Sequence, residues 1–180
     1  MAPYLVTAVV LACALGALNL LLTLAVIRRL REHTDALAAL RHVEGSDVIR
    51  AGRLPADFAV TTTDGRPLRR SDLTGGTLVA FFSTGCSACT DALPRFVAQA
   101  AAFPGGPDQV LAVVSGGGPE ASGLADQVTA IARVVIEDID GDLATAFEVR
   151  AFPSWCLLDP SGKVHRSGSG WTELATPVFA

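Results

Sequence analysis

The chain has 180 residues, half of them hydrophobic, with four cysteines and a formal net charge of −4. That is room for one soluble domain beside a membrane segment. It excludes a basic, aromatic-studded nucleic-acid surface and a disulfide-stapled scaffold, which needs more cysteines in a smaller domain.

The chain opens with MAPYLVTAVVLACALGALNLLLTLAVIRRLR, in which no side chain from Ala2 to Ile27 is charged. As a helix this run rises roughly 39 Å, enough to cross a hydrocarbon core of about 30 Å with some tilt. Tyr4 marks one interface and Arg28, Arg29 and Arg31 the other. A cleaved signal peptide fits poorly: the apolar run is long, no basic region precedes it, and arginines follow it. Residues 1–30 are therefore expected to form a single-pass transmembrane anchor, with Cys13 as a small apolar residue inside it. The arginine flank places the following domain in the cytoplasm by the positive-inside bias.

Residues 31–53 read as a stalk, with Leu30, Leu37, Leu40 and Val43 at helical spacing before a linker around residues 44–53. The soluble domain is expected over residues 54–180. Phe58 to Thr62 alternates weakly, and Asp64-Gly65 signals a hairpin turn, with a short turn at Asp72. TLVAFFST, residues 77–84, is a continuous apolar run, as in a strand covered on both faces. A helix follows from the cysteines to about Ala102, with Pro94 expected to kink it. QVLAVVSG is the next buried strand, GPEASGLADQVTA a helix, ARVVIED a short strand and GDLATAFEV a helix. SWCLLD is a strand, Pro160-Ser161-Gly162 a turn and KVHRSG its antiparallel partner; the tail reads as a partial terminal helix. Strands alternating with helices and a closing hairpin imply an α/β sandwich with a mixed central sheet.

The chemistry lies in FFSTGCSACTDALPRF, where Cys86 and Cys89 stand two residues apart at the junction of a buried strand and a helix. The first cysteine meets unpaired backbone N–H groups and the positive end of the helix dipole, which favours thiolate. Lowering a thiol pKa from about 8.5 to about 7 raises its ionised fraction at pH 7 from roughly 3% to about half. Cys86 is thus expected to attack a disulfide and Cys89, one turn deeper, to resolve the product. Phe152-Pro153 immediately precedes a strand; in the cis form it would present backbone beside the sulfurs to a substrate.

Residues from about Leu54 to Val164 resemble the TlpA-like branch of the thioredoxin superfamily, membrane-anchored thiol-disulfide oxidoreductases. LPADFAVTTTDGRPLRRSDLTGGTLVAFF matches the start of the family pattern, and LLDPSGKV its close. The resemblance implies a thioredoxin-like fold, a catalytic pair at Cys86 and Cys89, a kinking proline at Pro94 and a cis-proline at Pro153 with Phe152 beside it for substrate binding. The anchor, Gly85 before the first cysteine and CTDALP look most like the proteins that mature disulfides in methylamine dehydrogenase. The implied partners are a protein carrying a disulfide or dithiol, a second redox protein that regenerates the pair, and the membrane. No cofactor, metal or nucleic acid is expected. The resemblance also implies an extracytoplasmic domain, where disulfides persist, against the arginine flank.

The chain departs from the family at three positions: Gly85 replaces the usual tryptophan, and Ala80 and Ala92 replace the usual proton-handling carboxylates. Asp91 is a substitute only if it is not a solvated helix residue. The uncharged Ser87-Ala88 pair leans toward reductase or isomerase chemistry over strong oxidation.

Other chemistries fit less well. Zinc wants four Cys or His ligands, and no second pair exists. A copper chaperone using Cys86, Cys89 and His165 is the alternative function; His33, His42 and Cys156 are the remaining donors. Cys156 reads as core filler or an accessory thiol, Arg150 as a substrate-groove residue and Trp155 as a core or groove residue. Ser83-Thr84 resembles a peroxidatic loop faintly, without that loop's proline.

Overall fold

In a computed structural model of the protein, residues 15–16, 19–20 and 47–171 are described. The chain divides into two units, residues 1–45 and 46–180. Within the first, Leu15, Gly16, Asn19 and Leu20 are helical. The rest of the expected anchor and stalk up to Ser46, and the expected terminal helix after Trp171, lie outside the described residues. Among those described, no helix is long and apolar enough to cross a membrane.

The second unit begins with a hairpin of β1 (Ala59–Thr61) and β2 (Pro67–Arg69). Its turn is closed by Thr62, whose hydroxyl pairs with Asp64 and whose N–H donates to the Arg66 carbonyl at 2.9 Å. A short 3-10 turn, Arg70–Asp72, leads to β3 (Leu78–Ser83). Then follow α1 (Ser87–Ala101), β4 (Val110–Ser115), α2 (Gly118–Val128), β5 (Arg133–Glu137), α3 (Asp142–Ala146), β6 (Ser154–Leu158) and β7 (Val164–Ser169). The five main strands form one sheet in the order β5-β4-β3-β6-β7. β3, β4 and β5 run parallel, whereas β6 and β7 are antiparallel additions on the other side of β3.

Strand side chains alternate between faces, and that parity builds two cores. Leu78, Ala80 and Phe82 of β3 pack with α1, α2 and the face of β6 that carries Trp155. Val79 and Phe81 pack on the opposite face with Leu143, Phe147 and Cys156. β3 is central to both, which is why its sequence shows no polar alternation.

Two segments depart from the sequence-based expectation. The helix expected over GDLATAFEV ends at Ala146. Glu148 takes a φ of 54°, in the left-handed region, so the helix cannot continue through it. Its carboxylate pairs with Arg53 at 2.6 Å. The N-terminus of α3 is held from outside: Glu137 accepts N–H bonds from Leu143 and Ala144 at 2.9 and 2.8 Å. Burial pushes this carboxyl up, and the two N–H donors oppose that shift. Within the stretch expected to be linker, Val48 and Ile49 are buried, and the Ile49 N–H donates to the Phe147 carbonyl at 2.7 Å. Two apolar residues in a polar, glycine-bearing stretch carry too little local pattern to reveal a core role.

Trp171 closes the domain over α1. Its ring lies 5.2 Å from Phe96 edge-on and 6.1 Å from Phe82, and its indole N–H donates to Gln99 at 2.9 Å. Trp171→Ala is expected to cost about 3–5 kcal/mol of unfolding free energy through the cavity it leaves against α1. Urea denaturation of the variant and the parent protein measures that difference.

Candidate active site

The site forms where β3 runs out. Thr84 is tied to β4 by its N–H bond to the Ser115 carbonyl at 3.1 Å. Gly85 then turns with a φ of 69°, a conformation in which a side chain is strained. This places Cys86 at the N-cap of α1 with extended backbone. The Cys86 carbonyl accepts from the Cys89 and Thr90 N–H groups at 3.1 and 3.2 Å. Its sulfur accepts from the same Cys89 N–H at 3.1 Å. No acidic residue lies in the first turn of the 15-residue helix, so nothing local offsets the positive end of its dipole.

Cys86 and Cys89 are joined as a disulfide with Cα atoms 5.2 Å apart. Their surroundings differ. Cys86 is half-buried beside the exposed Gly85, whereas Cys89 is buried in the core under α1. Of the two, Cys86 is the residue open to another molecule.

Phe152 and Pro153 come to the same place from far along the chain. Their peptide bond is cis, and the Phe152 carbonyl oxygen lies 3.7 Å from the Cys86 sulfur. The loop is held by Ser154, whose hydroxyl donates to Ala151 at 2.6 Å, and by Gly170, whose N–H donates to the Pro153 carbonyl at 2.8 Å. Four of the residues singled out in the sequence, Cys86, Cys89, Phe152 and Pro153, therefore gather in one site.

The other candidates lie elsewhere or play other parts. Cys156 pairs with Val79 across β3 and β6 and faces the opposite core, fully buried. Burial pushes its thiol well above the usual cysteine range, so it is a core residue and no accessory thiol. Trp155, opposite Ala80, faces the core beneath α1. Its ring lies against Gly168, where a Cβ would come within 3.1 Å, and its indole nitrogen is buried without a hydrogen-bond partner. Ala80 and Ala92 are buried, and Asp91 and Arg150 are exposed. No carboxylate therefore stands behind Cys89 at either family position. His165 sits exposed on β7. Among the described residues no three His, Cys, Asp or Glu side chains come together as a metal-ligating set.

Sequence reasoning missed a cleft that starts at Thr84 and Gly85 and passes between α1 and α2, lined by Leu93, Val97, Glu120 and Leu124. The one local signal for it was a glycine, Gly123, inside α2.

Comparison with known proteins agrees with this geometry. The AhpC/TSA family matches residues 51–167. Thiol-disulfide oxidoreductase ResA of Bacillus subtilis is 27% identical over 127 residues, covering 70% of this chain and 71% of that protein. The crystal structure of a candidate thiol:disulfide interchange protein DsbE from Chlorobium tepidum superposes with a TM-score of 0.56 at 26% identity, covering 69% of this chain and 88% of that one. StoA from Bacillus subtilis shares the fold, with a TM-score of 0.51 at 22% identity over 66% of this chain and 91% of its own. With a family match over residues 51–167 and a strand-to-helix Cys86–Cys89 pair, this chain belongs to the AhpC/TSA family and is a thiol-disulfide oxidoreductase of the thioredoxin fold.

Proposed function

We propose that this protein is a membrane-tethered reductase or isomerase of disulfides in a partner protein, working on the extracytoplasmic side. The observation that carries the redox step is the unequal pair: a half-exposed Cys86 whose sulfur accepts a helix N–H, and a buried Cys89 directly behind it.

In the reduced enzyme, the Cys86 thiolate attacks one sulfur of a substrate disulfide. A Cys86–substrate S–S bond forms, the substrate S–S bond breaks, and one substrate sulfur leaves as thiolate to take up a proton. Cys89, deprotonated, then attacks the Cys86 sulfur. The Cys86–Cys89 bond forms, the second substrate thiol is released, and two electrons have passed to the substrate. A dithiol protein returns two electrons to the pair. When the second attack comes instead from another substrate thiol, the same mixed disulfide leads to isomerisation.

The N–H of Cys89 that reaches the Cys86 sulfur favours thiolate over thiol there. Phe152 and Pro153 are the substrate-binding residues in this reading: backbone next to Cys86 is where an extended substrate strand would align. Tethering rests on the uncharged run from Ala2 to Ile27, and the outside location on the persistence of disulfides in oxidising compartments. The anchor, Gly85 and CTDALP support a narrower proposal, a role in maturing a partner enzyme as in methylamine dehydrogenase maturation.

Cys86→Ser is expected to abolish reduction of a protein disulfide, and Cys89→Ser to accumulate the mixed disulfide, seen as one chain plus one substrate by mass spectrometry. Turnover that survives Cys86→Ser contradicts the assignment. Cys156 takes no part, so it should resist alkylation in the folded protein near pH 8 and react only on unfolding. Cys156→Ala should change turnover by less than about two-fold, because the exchanging thiols are elsewhere. Peptide mapping after alkylation and a turnover assay check these two outcomes.

A further inference from the structure

The helix that leads into the Phe152–Pro153 loop has no cap of its own. α3 begins at Gly141, which offers no side chain to the free N–H groups of its first turn. The cap comes from β5. Glu137 is the last residue of that strand, and its carboxylate accepts from the Leu143 and Ala144 N–H groups at 2.9 and 2.8 Å. The strand end is itself fixed, because the Gly116 N–H donates to the Glu137 carbonyl at 2.8 Å. The two N–H donors favour the charge of this half-buried carboxylate, whereas burial and Asp142 oppose it.

Gly141 carries an independent mark of this seat. Its φ of −65° and ψ of 174° suit any residue, so backbone conformation does not call for glycine. Space does. A Cβ there would lie 2.5 Å from the Glu137 carboxylate carbon and 2.7 Å from the Glu137 Cβ.

The chain passes this constraint on to the active site. Ala144, held by Glu137, accepts at its carbonyl from the Val149 N–H at 2.9 Å. Phe152 follows three residues later, and its carbonyl lies 3.7 Å from the Cys86 sulfur. We propose that Glu137 is a positioning residue for the exchange reaction: by seating α3 on the end of β5, it fixes the Phe152–Pro153 backbone at the Cys86 sulfur, where a substrate strand aligns. The inference rests on the thiol-disulfide reading of Cys86 and on Phe152 and Pro153 as the substrate-binding residues. The outer side of the segment is tied separately, Phe147 to Ile49 and Arg150 to Asp47, so loss of the seat shifts the loop and leaves it folded. A small disulfide has no strand to align and needs only the sulfur; a peptide disulfide needs both.

The test uses the full chain in detergent, reduced with dithiothreitol and freed of it. Second-order rate constants are measured for hydroxyethyl disulfide and for a disulfide of an extended hexapeptide with cysteine at its centre, and the readout is their ratio. The parent protein is expected to favour the peptide. Glu137→Ala should lower the peptide-to-small ratio at least about five-fold. Gly141→Ala, which keeps the carboxylate but thrusts a methyl into it, should lower the ratio in the same direction. Glu137→Gln retains one acceptor for the two N–H groups and should fall between the parent and Glu137→Ala; it carries the test if Glu137→Ala does not fold by circular dichroism. Val134→Ala weakens the same strand on its opposite face; it should unfold at lower urea yet keep the ratio within about two-fold of the parent. An unchanged ratio in folded Glu137 variants overturns the inference, and so does an equal loss in Val134→Ala, which would make the effect one of stability alone. A parent without preference for the peptide overturns it too, since no alignment is then there to lose. Failure of the parent to reduce hydroxyethyl disulfide overturns the redox reading itself.

Discussion

The site depends on one geometric constraint: a strand buried on both faces must end within a turn of a helix N-terminus. β3 is held between β4 and β6 and carries core side chains on each side, so its position is set by the whole sheet. The chain cannot drift at Ser83. The left-handed turn at Gly85 then delivers Cys86 to the first free N–H groups of α1. A helix N-terminus in solvent would present the same N–H groups, but water would compete for them. Here the helix is anchored through Phe96, packed against Phe82 and Trp171, and the sulfur meets a fixed donor.

The same packing divides the labour between the two sulfurs. The strand-to-helix turn leaves Cys86 at the rim, while the helical rotation carries Cys89 into the core against β3 and β6. The support beneath is apolar and tight, with Ala80 opposite Trp155. At the two family positions behind Cys89 the buried residues are Ala80 and Ala92, with no carboxylate to handle a proton. Cys156, one residue from Trp155, lands on the far side of the sheet because strand side chains alternate. A single step in sequence thus separates a thiol whose ionisation burial disfavours from the core wall under the reactive pair.

Much of this was legible in the sequence because it is local. Both central strands are continuous apolar runs, and Asp64-Gly65 and Pro160-Ser161-Gly162 are turn signals. Cys86 and Cys89 sit at a pattern break from strand to helix. Pro153 stands just before an apolar strand run in the sequence. What the sequence hid depends on partners far away in the chain. The end of α3 follows from Glu148, and its N-terminus is held by Glu137 of the preceding strand. Val48 and Ile49 look like linker until the backbone of Phe147 and the core behind it are in place.

The sequence by itself determined the order of strands and helices, the identity of the reactive pair and the family resemblance, because spacing and apolar periodicity act over a few residues. Tertiary structure alone decided the rest. It brought the Phe152 carbonyl to the Cys86 sulfur across 66 positions of chain. It turned Cys156 away and closed Trp171 over α1. It also set α2 across from α1, leaving a cleft, bordered by Gly123 of α2, that neither helix's pattern contains, because a space between two elements is a property of their packing and of neither one alone.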